Sequence, residues 1–313
     1  MTKTGGSSAA RQDLRRRHGL SKLEQGYMGF ILVLPWLIGF CIFKLYPFVS
    51  SLIYSFTDYD LFKGVQNVVG FQNYIDAFTK PKNIKALQVT FTYAFMTVPL
   101  KLIFALFIAY ILNFRIKGVG LFRTAYYVPS ILGGSVAIAV LWKALFKNDG
   151  VVNTILAMLG FESINFLADK HWALFIICLL RVWQFGSAMV LFLAALKGVP
   201  EDLYEAASID GATRGRQFMS ITIPLISPVI FYNLVTQLVQ AFQEFNGPYI
   251  ITNGGPRNAT TLISLIVYNT AFKDYKVGMS SAMAWVMFVI VMVLTIIAFV
   301  SQKKWVYYSD DDG

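Results

Sequence analysis

Four polar side chains recur along one apolar stretch of the sequence, residues 221–245. Successive members are four, three and four positions apart, and they are Asn233, Gln237, Gln240 and Glu244. At about 100° per residue in a helix, these side chains fall within about 60° of one another. Amide groups both donate and accept hydrogen bonds, which suits the hydroxyl groups of a sugar. The spacing therefore predicts a polar stripe on one helix face, with Gln243 and Asn246 near its end.

This polar stripe has two interpretations, because polar groups are costly in lipid and must face protein or a water-filled path. In the first, the side chains line a path for a polar solute. In the second, they form hydrogen bonds that hold neighbouring helices together, with a small gain from each bond. We favour the path, since polar groups on successive turns are more than one helix contact requires.

A second chemical feature is the cation Arg181 inside another apolar stretch, residues 172–196, with Gln184 one turn further along. An arginine at this depth in a membrane needs a partner. One candidate is Glu244, in a structural pair between two helices, and this is the interpretation that we favour. The other is an anionic group of the transported solute, which would suit oligosaccharides that contain uronate.

Aromatic residues make up 16% of the chain, and most are expected to contact lipid or anchor helices at the membrane surface. Tyr126, Tyr232 and Trp285 are candidate stacking faces for sugar rings, although each by itself is more typical of ordinary packing.

Enzymatic and metal chemistry are not indicated by the sequence. The two cysteines, Cys41 and Cys178, both lie in apolar stretches, and the two histidines, His18 and His171, are far apart along the chain. This pattern predicts neither a metal site nor a disulfide framework. Clustered nucleophile and base residues are also missing from the sequence, so we expect a protein without a catalytic site.

The composition of the chain explains which environment must position these side chains. Of the 313 residues, 56% are hydrophobic and 14% are charged, and the mean hydropathy is +0.57. Soluble domains carry about 25% charged residues, so we expect the solvent of this chain to be a lipid bilayer. A spanning helix needs about 20 mostly apolar residues. Six stretches qualify, and they are residues 27–49, 86–113, 121–146, 172–196, 221–245 and 278–301.

Lysine and arginine residues between the stretches predict the orientation of the chain. Fourteen of the 27 lie on the side that includes both termini and nine on the opposite side. The remaining four lie within the apolar stretches, and they are Lys44, Lys101, Lys143 and Arg181. Because the more basic side faces the cytoplasm, we expect both termini there, in an all-α protein with six transmembrane helices. The net charge of +10 is thus explained without a nucleic-acid partner.

These boundaries predict three regions. Residues 1–26 form a basic cytoplasmic arm, residues 27–301 form the six-helix transmembrane domain, and residues 302–313 form a cytoplasmic tail.

The connection between the fourth and fifth spans, residues 199–224, has a pattern of its own. Pro200 suits the first turn of a short helix, and acidic residues near that end complement the helix dipole. Gly211 can adopt a positive φ and end this helix, and a second short helix can run from Ala212 to Phe218. The result is an exposed helix–glycine–helix elbow on the predicted cytoplasmic side, of a shape that could dock in a groove of another protein.

This connection resembles the EAA loop of binding-protein-dependent ABC importer permeases. The residues that match the family pattern are Glu205, Ala206, Ala207, Gly211, Ile221 and Pro224, while Ile223 replaces the usual leucine. Asp210 and Ala212 add the extension typical of the sugar-importing branch, the maltose and glycerol-phosphate type. Weaker resemblances occur in residues 48–58, at Pro129 and residues 142–143, and at residues 245–246, Tyr249 and residues 251–256, so the likeness extends over most of the chain.

The resemblance implies a permease subunit in the bacterial cytoplasmic membrane, with the EAA loop seated in an ATP-binding subunit. It also implies a second, homologous permease, two ATP-binding subunits that bind ATP and magnesium, and an extracytoplasmic solute-binding protein that delivers a saccharide. The sequence contains no Gly-x-x-x-x-Gly-Lys-Ser/Thr phosphate loop. We therefore expect no ATP site and no cofactor in this chain.

Two other classes of membrane protein fit the sequence less well. A secondary transporter driven by an ion gradient typically shows internal repeats and intramembrane acidic groups, whereas Glu244 is the one acid within a predicted span. A membrane-embedded enzyme would need clustered His, Asp or Glu residues. Stable co-purification with an ATPase would separate the importer from both.

Overall fold

The computed structural model describes residues 28–65, 67–114 and 118–308, which divide between residues 54 and 55 into two units. The predicted basic arm and residues 309–313 of the predicted tail lie outside this description, as do Arg115 and Lys117. Helix α1 runs from Met28 to Ser55. Residues 28–54 of this helix are the described part of the first unit, and Ser55 belongs to the second unit. The helix includes a π-helical turn at Cys41–Leu45. At 1.5 Å per residue it is about 42 Å long, enough to cross a bilayer.

The second unit consists of helices joined by short connections. They are α2 (Gln72–Thr79), α3 (Pro81–Asn113), α4 (Val119–Leu132), α5 (Val136–Leu145), α6 (Val151–Met158), α7 (Lys170–Trp183), α8 (Gly186–Lys197), α9 (Glu201–Ile209), α10 (Arg214–Phe242), α11 (Ile263–Phe272) and α12 (Val277–Gln302). Within the described ranges the chain forms isolated antiparallel bridges, for example Thr57 with Val68, but no β-strand. The predicted all-α class is therefore confirmed for this part of the chain.

Both single long helices and bent pairs of shorter helices reach the length needed to span a membrane. Among the described residues, helices α1, α3, α10 and α12 are each long and apolar enough to cross a bilayer. Two further spans form only if the bent pairs α4–α5 and α7–α8 each count as one, with bends of 103° and 45°. The structure therefore supports between four and six of the predicted spans.

The predicted third and fourth spans are not the continuous helices that hydropathy suggested. Residues 121–146 are interrupted at Gly133, Gly134 and Ser135, where the Ser135 hydroxyl caps α5 by accepting a hydrogen bond from the Ala137 N–H (3.2 Å). Glycine disfavours a helix interior and serine favours a cap. Hydropathy does not register these local preferences, because all three positions lie in an otherwise apolar run.

The break in the fourth span is held by contacts to α4. The Ser130 hydroxyl donates to the Gln184 carbonyl (3.1 Å) and accepts from the Ser187 N–H (3.0 Å). A Cβ on Gly186 would lie 2.5 Å from the Tyr126 carbonyl oxygen, so only glycine allows this approach. These contacts provide partners for backbone groups that the break would otherwise leave unpaired in an apolar environment.

Helix α3 lies at the centre of the core and contacts α7, α8, α10 and α11. Its buried face is rich in alanine, including Ala94, Ala105 and Ala109, all fully buried. Small side chains let helices approach closely in membranes. The large side chains Phe192 and Phe242 of the neighbouring helices fill the space around them.

Candidate functional site

The polar stripe predicted on residues 233–244 lies on α10 and just beyond its C-terminal residue, and its members have different surroundings. Asn233 and Gln237 are buried, whereas Gln240 is exposed. Asn233 donates its amide N–H to the Val229 carbonyl of its own helix (3.0 Å). The half of the stripe near Asn233 therefore packs inside the protein, and the half near Gln240 reaches the surface.

A buried lysine joins the stripe from α3. Lys101 is 3% exposed, and its Nζ donates a hydrogen bond to Gln237 Oε1 (2.7 Å). The sequence showed Lys101 only as a cation inside an apolar stretch. Its position in lipid was a signal of function, but its partner lies 136 residues away, and only the packing of α3 against α10 identifies it.

Arg181 stands beside the exposed half of the stripe. Its Nη1 donates to Gln184 Oε1 (3.0 Å) and its Nη2 donates to Gln240 Oε1 (2.7 Å). Its Nε lies 3.9 Å from Glu244 Oε2. The structure thus brings together two predicted residues from the fourth span and two from the fifth, with the carboxylate as the most distant of the three contacts.

Glu244 also has a second role, because it shapes the turn that follows α10. Its Oε1 accepts the Gly247 N–H (3.0 Å), and its backbone carbonyl accepts a hydrogen bond from the Ser264 hydroxyl. These bonds connect the end of α10 to the π-helical turn Pro248–Thr252 and to α11. The side chain is therefore shared between the turn and Arg181.

A cavity of about 250 Å³ opens at this cluster. It is lined by Gly133, Gly134, Arg181, Gln240, Gln243, Glu244, Phe245 and Asn246. The glycines come from the break between α4 and α5, and the Asn246 amide donates to the Gly134 carbonyl (3.3 Å). The interrupted third span therefore forms one wall of the cavity. Its polar lining offers both donors and acceptors, as binding of a hydroxyl-rich molecule requires.

The predicted stacking residues are not brought into this cavity. Tyr232 lies on α10 and is 59% exposed, and Trp285 lies on α12 with its ring 5.3 Å from that of Phe288. Tyr126 on α4 contacts the ring of Phe185. Within the described part of the chain, their roles in solute binding stay predictions.

The connection between the fourth and fifth spans forms the predicted elbow, with one difference. Helix α9 begins directly after Pro200, and Gly211 ends it with φ of +76°. The predicted second short helix, from Ala212 towards Phe218, is present as an α-helix at Arg214–Gln217, but it is the first turn of α10 and not a separate element. Pro224 does not interrupt α10, since a π-helical turn at Phe218–Thr222 precedes the proline.

The elbow presents the predicted coupling residues on an exposed surface. Glu205, Ala206, Asp210 and Gly211 are exposed, while Ala207 and Ala212 are half-buried where the Ala212 N–H bonds to the Ala207 carbonyl (2.9 Å).

Hydrogen bonds fasten the elbow to the start of α10. The Tyr204 hydroxyl lies 2.7 Å from Thr222 Oγ1, and the Gln217 amide donates to Ser208 Oγ (2.9 Å) and to the Ala212 carbonyl (3.2 Å). Because α10 also carries Gln240, one continuous helix joins the elbow to the cavity.

Comparison with known proteins gave matches over most of the chain. Residues 74–305 match the protein family described as binding-protein-dependent transport system inner membrane component. The probable ABC transporter permease protein YesP of Bacillus subtilis is 46% identical over 288 residues, which is 91% of this chain and 93% of that protein. The trehalose/maltose transport system permease protein MalF of Thermococcus litoralis is 34% identical over 88% of this chain and 94% of that protein.

A solved structure has the same fold. It is a chain of a bacterial ABC transporter involved in the import of the acidic polysaccharide alginate, which superposes with a TM-score of 0.79 at 23% identity. The superposition covers 92% of this chain and 99% of that one.

Proposed function

Because this chain belongs to the family of inner membrane components of binding-protein-dependent transport systems, we propose that it forms part of the translocation path for a saccharide. The amide-rich cavity at Arg181 and Gln240 supports this assignment, since its groups suit hydroxyls. The similarity to a permease for trehalose and maltose also supports it.

The observation that carries the proposal is the continuity between the elbow and the cavity. Helix α10 runs for 29 residues, about 44 Å, from the elbow at Arg214 to the polar residues at its outer end. A displacement of the elbow is therefore transmitted to Gln240 by a single element. The glycine turn and its hydrogen bonds keep α9 fixed to that element.

The complete transporter contains further subunits in this proposal. A second, homologous permease completes the path, two ATP-binding subunits bind ATP and magnesium, and an extracytoplasmic binding protein delivers the saccharide. This chain is non-catalytic and lies in the bacterial cytoplasmic membrane with both termini in the cytoplasm. Its elbow docks in an ATP-binding subunit, whose closure moves α10.

The test is ATP hydrolysis by the reconstituted transporter with an intact loop and with Glu205→Ala combined with Gly211→Pro. Proline fixes φ near −65° and cannot adopt the positive φ of Gly211. We expect the cargo-loaded binding protein to stimulate hydrolysis of the intact complex, and we expect the double variant to lose that stimulation almost completely.

The matched control is Glu162→Ala, which removes an exposed carboxylate from the connection after α6. It should hydrolyse ATP and import solute like the unchanged protein. If uptake and hydrolysis were indifferent to the loop variant, an ion-driven carrier of a polar solute would replace the importer as the leading explanation.

A further inference from the structure

The cavity contains a cation whose negative partner is held at a distance. Of the residues that line it, Arg181 and Glu244 are the charged ones. Their side chains are 20% and 15% exposed, and their nearest atoms are 3.9 Å apart. A strong arginine–carboxylate pair has two parallel hydrogen bonds of about 2.7–2.9 Å. The observed contact is longer than either bond in such a pair.

The distance has a structural cause. Oε1 of Glu244 is engaged by the Gly247 N–H, which fixes the turn after α10. This bond orients the carboxylate so that its other oxygen, Oε2, approaches Arg181 Nε, at 3.9 Å. In place of a carboxylate, the two terminal nitrogens of Arg181 contact the neutral amide oxygens of Gln184 and Gln240.

These amides hold the guanidinium against the cavity wall. A Cβ on Gly133 would lie 2.5 Å from Cδ of Gln184, so the glycine at the break leaves the space that Gln184 occupies. Gln240 approaches from α10 and is exposed at the cavity. Arg181 is thus positioned by two spans and a broken helix, in a place that a solute can reach.

The surroundings of Arg181 also favour an additional anion. Lys101, the other basic residue joined to the polar stripe, is buried outside the cavity lining and bonds to the neutral Gln237. Arg181 itself hydrogen-bonds to the neutral amides of Gln184 and Gln240. Since a cation within a membrane is costly without a close negative partner, a carboxylate that bonds directly to Arg181 is favourable here.

We propose that Arg181 binds a carboxylate of the transported saccharide, which displaces Glu244, and that the path therefore prefers saccharides containing uronate. This inference rests on the proposed saccharide transport. A carboxylate is the expected group because the incoming group replaces the carboxylate of Glu244, and a planar guanidinium can bind a carboxylate with two parallel bonds. Glu244 then keeps its bond to Gly247 and releases Arg181.

The experiment measures equilibrium binding to the complete transporter in nanodiscs. The probes are trisaccharides of galacturonate, mannuronate and glucuronate, each matched with the neutral trisaccharide of the same linkage, and a sugar phosphate. We expect at least one uronate probe to bind about tenfold or more tightly than its neutral match, the difference typical of a bond to a charged group.

Two variants assign this preference to Arg181. Arg181→Gln should reduce uronate binding to the level of the neutral probe, whose unchanged binding shows that the protein is folded. Glu244→Gln keeps an acceptor for the Gly247 N–H but removes the competing charge, so it should bind the uronate probe severalfold more tightly. Lys143→Gln is the matched control, because it removes a membrane cation that donates to the Ile250 carbonyl outside the cavity lining.

Several results would overturn the inference. Equal binding of uronate and neutral probes would contradict the proposed preference for uronate, but it would be consistent with the proposed transport of a saccharide. A preference that survives Arg181→Gln, a preference for the sugar phosphate, or unchanged or weaker uronate binding by Glu244→Gln would each contradict displacement by a carboxylate. If neither saccharide class binds although hydrolysis depends on the loop, the saccharide assignment fails together with this inference.

Discussion

At the scale of single residues, several polar side chains in the apolar core bond to one another across helices. Lys101 bonds to Gln237, and Arg181 bonds to Gln240 and Gln184. These contacts turn three helices into one network that ends at the cavity. Each charged group in it has a polar partner, as expected where unsatisfied groups cannot turn to water.

The bond between Lys101 and Gln237 can be tested by a double-mutant cycle. Lys101→Met should destabilise the protein by about 1–3 kcal/mol, because it leaves the amide of Gln237 buried without its partner. Adding Gln237→Met should recover most of that loss, since both polar groups are then replaced. Thermal unfolding of the purified protein measures both effects. Strictly additive losses would show that the two side chains do not interact.

At the scale of helices, the breaks in two predicted spans are the features that shape the site. Each break frees backbone groups that need partners, and the hydroxyls of Ser130 and Ser135 provide them. The break in the third span places Gly133 and Gly134 at the cavity. An unbroken helix of 26 residues would cover this position with side chains instead.

The start of α7 gives a prediction about pH. The carboxylate of Asp169 caps this helix by accepting the N–H groups of Trp172 (3.1 Å) and His171 (2.8 Å), and these bonds lower the pKa of Asp169. Because its folded pKa is depressed, the cap contributes stability above the ordinary aspartate pKa of about 3.9. That contribution is lost as the pH falls below this value towards the folded pKa.

Thermal unfolding measured between pH 6 and pH 3 checks this cap. Asp169→Ala should lower the melting temperature at pH 6. Asp169→Asn should retain stability at pH 6, because asparagine is also a good cap, and should lose less on acidification than the unchanged protein. Identical pH profiles for the aspartate and asparagine proteins would contradict the assigned role.

At the scale of the whole molecule, α10 connects the two ends of the proposed mechanism. The elbow with Glu205 and Gly211 directly precedes its first turn, and its last turns carry Gln240. The connection depends on the bonds between α9 and α10, because the glycine turn alone would let the elbow rotate. Coupling between subunits is therefore expected to depend on these bonds as well as on the exposed elbow surface.

Tyr204→Phe tests this transmission, since it removes the hydroxyl that contacts Thr222 and keeps the ring. A hydrogen bond of this kind contributes about 0.5–1.5 kcal/mol. We expect ATP hydrolysis to continue while the amount of saccharide imported per ATP falls about twofold to tenfold. Tyr46→Phe, an equivalent change at an exposed position of α1, is the control. Unchanged transport stoichiometry in Tyr204→Phe would show that this bond does not transmit movement.

The sequence by itself determined the class of the protein and the family. Hydropathy predicted helices in a bilayer because long apolar runs cannot be solvated in water. The resemblance carried by the loop at Glu205, Gly211 and Pro224 is confirmed by the family match. Both predictions, the transmembrane helices and the family, depend on local composition and residue spacing, which can be read directly from the sequence. The end of helix α9 at Gly211 was also predictable, since glycine readily adopts a positive φ.

Only the tertiary structure decided which polar residues meet. The sequence could not show that Lys101 contacts Gln237 or that Gln240 contacts Arg181, because these pairs depend on helix packing between distant segments. The stripe on α10 also looked uniform in sequence, yet Asn233 is buried and Gln240 is exposed. Helical periodicity assigns side chains to a face, but the position of neighbouring helices determines which part of that face remains open to a solute.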